Sequence, residues 1–314
     1  MPPCKLAEKI SSPPYDVLSS NEAKIIAKNN KYSFLKVIKP EIDFSSNETL
    51  NSKKIHEKGK NNLNELIDND KIIKDDIPSF YIYKIIMGKH SQTGIVAGTS
   101  IEEYNQNLIK KHEYTRPEKE DDRTTHIDIL NANTGPVFLT FRNKHGFKSL
   151  IDNLINKKSD ISFIADDNTC HMIWKITSSI NIKKIKEYFF NISCLYIADG
   201  HHRAASASRV QRNRSNNKNH TGNEAYNYFL SVIFPHDEMQ ILDYNRIVKD
   251  LNGLKEDEFF KSLKENFIMT PLKKRLSPSE NGNFSMLLNN NWYNLKIKDK
   301  RKSQDQVKKL DASI

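Results

Sequence analysis

The run Leu195–Val210, LYIADGHHRAASASRV, concentrates the residue types best suited to chemistry. Its apolar approach, Cys194 to Ala198, predicts a buried strand. Asp199-Gly200 predicts a bend, and Ala204 to Ser208 predict a helix that packs closely. A strand that bends straight into a helix presents unpaired amides and a partial positive charge at one spot, which suits phosphate. Gly200 permits φ > 0 and close approach, His201 and His202 sit at the helix start, and Arg203 can grip phosphate with two parallel N–H groups. Asp199 suits a divalent cation or proton transfer.

Three further polar clusters interrupt apolar sequence. Tyr15-Asp16 follows the stiff pair Pro13-Pro14. Residues 109–126 read as a polar stretch crowded with Lys111, His112, Glu113, Arg116, Lys119, Glu120, Asp122, Arg123 and His126. His236-Asp237 leads to Asp243, Asn245 and Arg246. Lysine and arginine for phosphate, carboxylates for Mg²⁺ and a glutamate base are what phosphoryl transfer needs, because its catalysis is positioning and charge neutralisation. On residue type, Glu113 or Asp16 takes the substrate proton, and Lys111, Arg116 or Arg123 neutralises the phosphoryl group. The same charges also fit a solvated loop. A site made of His201, His202, His236 and Asp237 is disfavoured, because adjacent helical side chains diverge by about 100°. The chain has no HExxH, CxxC, Walker A, Gly-rich dinucleotide or GxSxG motif.

The elements that must position these residues follow from periodicity. The box Ser19-Ser20-Asn21-Glu22 starts a helix to about Asn29, and Phe34–Ile38 reads as a strand. A helix is expected over 48–68. A hairpin follows, with strands Phe80–Met87 and Thr93–Ile101 joined by Gly88 to Ser91. Gly94 and Gly98 in its second strand suggest close approach of another backbone or a ligand. Then come helix Thr125–Asn131, strand Val137–Phe141, helix 146–156, strands 161–164 and 171–176, and helix 181–190. Past the Asp199 bend, 211–224 reads as a polar surface loop. Strand 228–234 is expected to return through Met239–Tyr244, before helix 256–267 and a strand pair near 284–297. From Lys296 on, the sequence has no core pattern. The interleaving predicts an α+β fold with a mixed sheet, as one domain over 1–314 with a candidate internal boundary near 211–224.

With 314 residues, 37% hydrophobic, the chain can bury a sizeable core. No apolar run is long enough to span a bilayer, and three scattered cysteines, Cys4, Cys170 and Cys194, suggest a reducing cytoplasm. The net charge of +10 admits a polyanion partner, but the lysines are spread through Lys53–Lys60, Lys183–Lys186 and Lys298–Lys309 without a nucleic-acid module. Nucleic acid is therefore the less favoured partner.

The segments SSPPYDVLS, FLKVIKPEID, HSQTGIVAG, IKKHEYTRPEKEDDRTTHIDILNANTGPVFLTF, LYIADGHHRAAS and FPHDEMQILDYNRIVKDLNG together resemble a prokaryotic family known as domain of unknown function 1015. The DGHHR corner also resembles the ParB and sulfiredoxin superfamily, which includes kinases acting on free L-serine. That resemblance implies an ATP-dependent kinase, with ATP or ADP as donor and Mg²⁺, making O-phospho-L-serine. Asp199, Gly200, His201, His202 and Arg203 would line the phosphates. Family members extend past both ends, which implies a clipped chain. The alternative is a ParB-like nucleotide- or nucleic-acid-binding regulator without turnover. Arg203→Ala is expected to abolish nucleotide binding while leaving the unliganded melting point nearly unchanged.

Overall fold

The N-terminal part of the chain is helical. In the computed structural model, residues 1–45, 51–243, 245–278 and 280–298 are described. The first helices are α1 (Cys4–Ile10), α2 (Ser20–Ala27), α3 (Leu35–Ile38) and α4 (Ser52–Asp68). The expected capping box forms: the Ser19 side chain accepts from the Glu22 amide, and Glu22 accepts from the Ser19 amide. The expected strand at 34–38 is instead α3. Leu35, Val37 and Ile38 are all buried, facing two apolar clusters rather than alternating. Packing on Ala23, Ala27, Leu66 and Leu130 overrides local β propensity.

The sheet begins with β1 (Phe80–Met87) and β2 (His90–Ser100), the expected hairpin with a tighter turn of Gly88-Lys89. Next are α5 (Ile101–Asn105), β3 (Ile109–Lys110), α6 (Pro117–Leu130), β4 (Val137–Phe141) and α7 (Phe147–Leu154). Then follow β5 (Ile161–Ile164), β6 (Cys170–Ile176), α8 (Ser179–Phe190), β7 (Leu195–Asp199), α9 (His201–Ser215) and β8 (Tyr228–Pro235). The eight strands form one mixed sheet in the order β3-β7-β4-β8-β2-β1-β6-β5. β3–β7 and β4–β8 are parallel, and the remaining pairs are antiparallel. The α+β class and mixed sheet match the expectation from sequence.

Register explains the core. Trp174, Ile82, Ile95, Ile233, Leu139 and Ile197 stand side by side across six strands, each at most 5% exposed. Alternation along each strand places them on one face. Gly94 is required on the other face, where an added Cβ would lie 2.7 Å from the Ile233 carbonyl oxygen and 2.8 Å from the Phe234 ring. Gly94→Ala should therefore lower stability by about 1–3 kcal/mol through overpacking. Urea denaturation reads this directly, and an unchanged midpoint would refute the close packing. Gly98 meets only Tyr228, at 3.4 Å.

Three other expectations are corrected. The helix expected at Thr125 begins eight residues earlier, at Pro117, with proline in the first turn and Glu118 and Glu120 favouring that end. It stops at Asn131, which is left-handed. The polar segment from 211 starts inside α9, which runs to Ser215. The returning strand at Met239–Tyr244 does not form over 239–243, and Tyr244 lies outside the described residues. β8 already lies between β4 and β2, so it has no free edge to receive it.

The chain divides into two compact units, Met1–Met239 and a second from Gln240. The second contains α10 (Glu256–Asn266), β9 (Phe267–Leu272), β10 (Asn283–Leu288) and β11 (Asn291–Ile297). Its antiparallel sheet has the order β10-β11-β9, and Phe260 of α10 packs on Tyr293 with ring centroids 5.2 Å apart. Within the stretch expected to lack a core pattern, Lys296 and Ile297 end β11, and residues 299–314 lie outside the described residues. Cys4, Cys170 and Cys194 are free. Among the described residues, no helix is long and apolar enough to cross a membrane.

Candidate functional site: an Asp–Arg–Asp clamp where β7 becomes α9

β7 ends at Asp199, and Gly200 turns the chain with φ +93° into α9. A Cβ at Gly200 would sit 3.2 Å from Arg203 Nη1 and 3.3 Å from the Val137 Cα, so glycine allows both the turn and the close approach. The first intrahelical bond runs from the Ala204 amide to the Gly200 carbonyl. The amides of His201, His202 and Arg203 thus lie ahead of the helical ladder.

Arg203 is the hub. Its side chain is only 11% exposed. Nη2 donates to Asp16 at 3.0 and 3.3 Å and to Asp199 at 3.0 Å, while Nη1 donates to the Pro136 carbonyl at 2.5 Å. Its buried Nε has no hydrogen-bond partner among the described residues. Burial opposes its charged form, but Asp16 and Asp199 outweigh that and hold its pKa above the ordinary value. One guanidinium therefore joins the loop after Pro14, the start of β4 and the end of β7.

Tyr15 lies beside Arg203, whose guanidinium carbon is 5.8 Å from the ring centroid, and Arg123 packs closer, at 4.3 Å. Burial pushes the Tyr15 phenol up, against the lowering effect of Arg123. Arg123 is itself occupied: Nε donates to Asp122 at 2.8 Å and Nη1 to the Ile38 carbonyl at 3.3 Å. Burial opposes ionisation of Asp122, but the His56 ring and Arg123 outweigh it and hold that carboxyl well below its usual range.

The loop 111–116 lies over the start of α9. The His112 amide donates to His201 Nε2 at 3.4 Å, and the Arg116 amide donates to His202 Nε2 at 3.0 Å. His201 Nδ1 is 3.4 Å from Glu113, and the His112 ring meets His201 edge-on at 4.4 Å. The two histidines thus anchor this loop through ring nitrogens that accept backbone N–H groups. α6 continues the docking: Arg209 of α9 reaches Glu120 at 3.2 Å and Asp121 at 2.6 Å, and Ser206 donates to the Glu120 carbonyl.

Burial, reinforced by His112 and His202, holds the His201 pKa down at about 4, and burial also lowers that of His202. An unfolded histidine titrates near 6.5, so the unfolded chain binds more protons between about pH 6.5 and 4. Stability from His201 is complete above that window and is lost as pH falls through it. The urea midpoint should therefore drop between about pH 7 and 4, with His201 still neutral at about pH 5 by NMR titration. A protonated His201 at that pH would contradict its placement.

The structure thus brings together Tyr15, Asp16, Asp199, Gly200, His201, His202 and Arg203, with His112, Glu113, Arg116 and Arg123 around them. Lys111 turns onto Tyr104 of α5, its Nζ 3.8 Å from the ring centroid, and burial lowers its pKa. His126 is buried, 3.4 Å from His56 and 3.0 Å from the Thr134 hydroxyl, with a pKa pushed well down by burial. His236 and Asp237 sit at the opposite end of the sheet. Asp199 pairs with Phe138 near the start of β4, whereas β8 runs parallel to β4 and His236 follows Pro235, opposite Phe141. The ends of β4 are about 14 Å apart. There His236 Nδ1 accepts from the Asn143 amide, and Asp237 accepts from the Asn143 side chain. Arg246 belongs to the second unit. The sequence reading missed the Pro136 carbonyl, Arg209 and His56, none of which belongs to a motif, whereas Glu120 of the polar cluster is found paired with Arg209. Three hollows in the structure share no lining residue with this corner.

A mixed eight-stranded sheet with a carboxylate-clamped arginine at a strand-to-helix turn defines the class of this α+β protein. The family model described as Protein of unknown function (DUF1015) matches residues 1–313, and the chain belongs to that family. A search of curated proteins and a search of solved structures each find no match.

Proposed function

We propose that the chain is an ATP-dependent small-molecule kinase that phosphorylates free L-serine, using a ParB/sulfiredoxin-like nucleotide-binding corner at the start of α9. The observation that carries this reading is the convergence of Asp16 and Asp199 on Arg203 beside the leading amides of α9. The leading amides attract polyphosphate and Arg203, whose Nη donors are taken by Pro136, Asp16 and Asp199, fixes the corner, while the carboxylates remain at the surface: Asp199 is 60% exposed and Asp16 29%.

Among the described residues no group of three or more His, Cys, Asp or Glu gathers for a metal. Mg²⁺ is commonly held by one or two carboxylates plus substrate phosphates, so the exposed Asp199 fits that ion, which would neutralise phosphate charge when bound. Both Asp16 oxygens accept from Arg203, which leaves Glu113, 58% exposed beside His201, as the proton acceptor. The serine hydroxyl oxygen bonds to the γ-phosphorus, its proton passes to Glu113, the bond to the β-phosphate oxygen breaks, and ADP leaves. Arg116, on the loop over His202, supplies charge to the transferring group. Arg123, locked to Asp122 and Tyr15, positions the Tyr15–Asp16 segment instead.

A thermal-shift series with ATP, ADP and Mg²⁺ tests the binding half of this reading. A ligand that favours the native state raises the melting temperature by mass action, so a rise with ATP and Mg²⁺ is expected. Absence of any nucleotide shift would count against the kinase.

A second reading, a nucleic-acid-binding regulator without turnover, rests on two adjoining hollows. Lys9, Lys28, Lys31, Lys36, Lys58 and Lys71 line them, and Tyr32 is shared. Binding to single-stranded nucleic acid that weakens steeply with salt, without phosphoserine formation, would favour it.

A further inference from the structure

At the other end of β7 from Asp199, the core face of the sheet opens beside α8 into a hollow of about 380 Å³. Phe80, Ile95, Ile185 and Phe189 form the apolar part of its wall, with Thr99, Ser100 and Ser193 among them. Three features at its mouth are unusual for a finished surface. Phe190, the last residue of α8, is 90% exposed, the most exposed aromatic side chain in the described residues. Leu108 and Tyr228 beside it are 44% and 46% exposed. The lining also holds one exposed cation, Lys186, and one exposed anion, Glu103, which are not ion-paired with each other.

We propose that this face pairs with the same face of a second copy of the chain. A two-fold contact demands a self-complementary patch, in which residue i meets j and j meets i. This patch has both halves of such a match. It carries an aromatic knob and a hole with apolar walls at Phe80, Ile95, Ile185 and Phe189, so each Phe190 enters the partner's hollow. The exposed Lys186 and Glu103 also both line this hollow, so the two-fold pairs each lysine with the other copy's glutamate. A foreign partner would need only one half of either match. Aromatic anchors in apolar pockets, ringed by rim charges that set register, are the usual anatomy of a protein interface.

Sedimentation velocity on the full chain over a wide concentration range tests the pairing. The expected result is a monomer–dimer equilibrium that Phe190→Asp abolishes. Lys186→Glu and Glu103→Lys should each weaken the dimer by about tenfold, because each puts like charges in contact twice per dimer. The double variant K186E/E103K should return to within about threefold of the unmodified protein, since the pairs are merely exchanged. This rescue stands even if Phe190→Asp fails to fold, and circular dichroism checks each variant. A chain that stays monomeric throughout overturns the proposal. So does a dimer indifferent to both charge reversals, or a monomer that loses a bound naphthalene-type dye on Phe190→Asp, which makes the hollow a small-molecule site.

Discussion

Arg203→Ala should lower the stability of the unliganded protein by about 2–4 kcal/mol and abolish any nucleotide-induced thermal shift. Alanine removes donors from two carboxylates and from the Pro136 carbonyl at once. Cutting one partner from a buried ion pair leaves the others uncompensated, at about 3–5 kcal/mol when burial is complete. Asp199 and Asp16 retain solvent, which tempers the figure. Read from sequence, Arg203 is a surface phosphate ligand whose loss leaves the fold untouched. The structure changes that expectation, because the side chain is buried and ties together segments 187 residues apart. Urea denaturation measures the loss, and an unchanged midpoint would mean that the clamp holds nothing.

Asp199→Asn separates chemistry from folding. The asparagine oxygen can still accept from Arg203 Nη2, and the side chain is 60% exposed, so stability should change by less than about 1 kcal/mol. The charge is gone, however, and on the proposed reading the hard anionic ligand for Mg²⁺ goes with it. If the chain is the proposed serine kinase, turnover should fall by about 10²–10³-fold, a typical effect of removing one preorganised charge-stabilising group. Steady-state kinetics at saturating ATP, alongside a melting curve, separates the two effects. Retention of full activity would remove Asp199 from the site.

Much of the scaffold was legible because its signals are local. The alternation of Phe80–Met87 and the Gly88 turn specify the hairpin, and the apolar run into Asp199-Gly200 specifies β7 and the start of α9. Elements decided by distant packing were not. Leu35 to Ile38 looks like a strand until Ala23 and Leu66 are placed against it. The run after His236 looks like a returning strand until β4 is seen to occupy the edge it would need.

The site divides in the same way. The Asp-Gly-His-His-Arg corner announces itself by composition, and Tyr15-Asp16 by its stiff proline approach. That Asp16 faces Arg203 depends on tertiary structure alone. His236-Asp237 resembles the other clusters in composition, yet the parallel pairing of β4 with β8 sends it to the far end of the strands. His201 and His202 have a role that residue type does not reveal: their ring nitrogens fasten the 111–116 loop, which brings Glu113 beside the corner.

Phosphorus-31 NMR of the full chain with ATP, Mg²⁺ and L-serine tests the central claim most directly. The account predicts a growing phosphomonoester resonance of O-phosphoserine with ADP formed in equal amount, both accumulating about 10²–10³-fold more slowly with Asp199→Asn. ATP left intact beside the folded protein, or ADP and inorganic phosphate without phosphoserine, would contradict it.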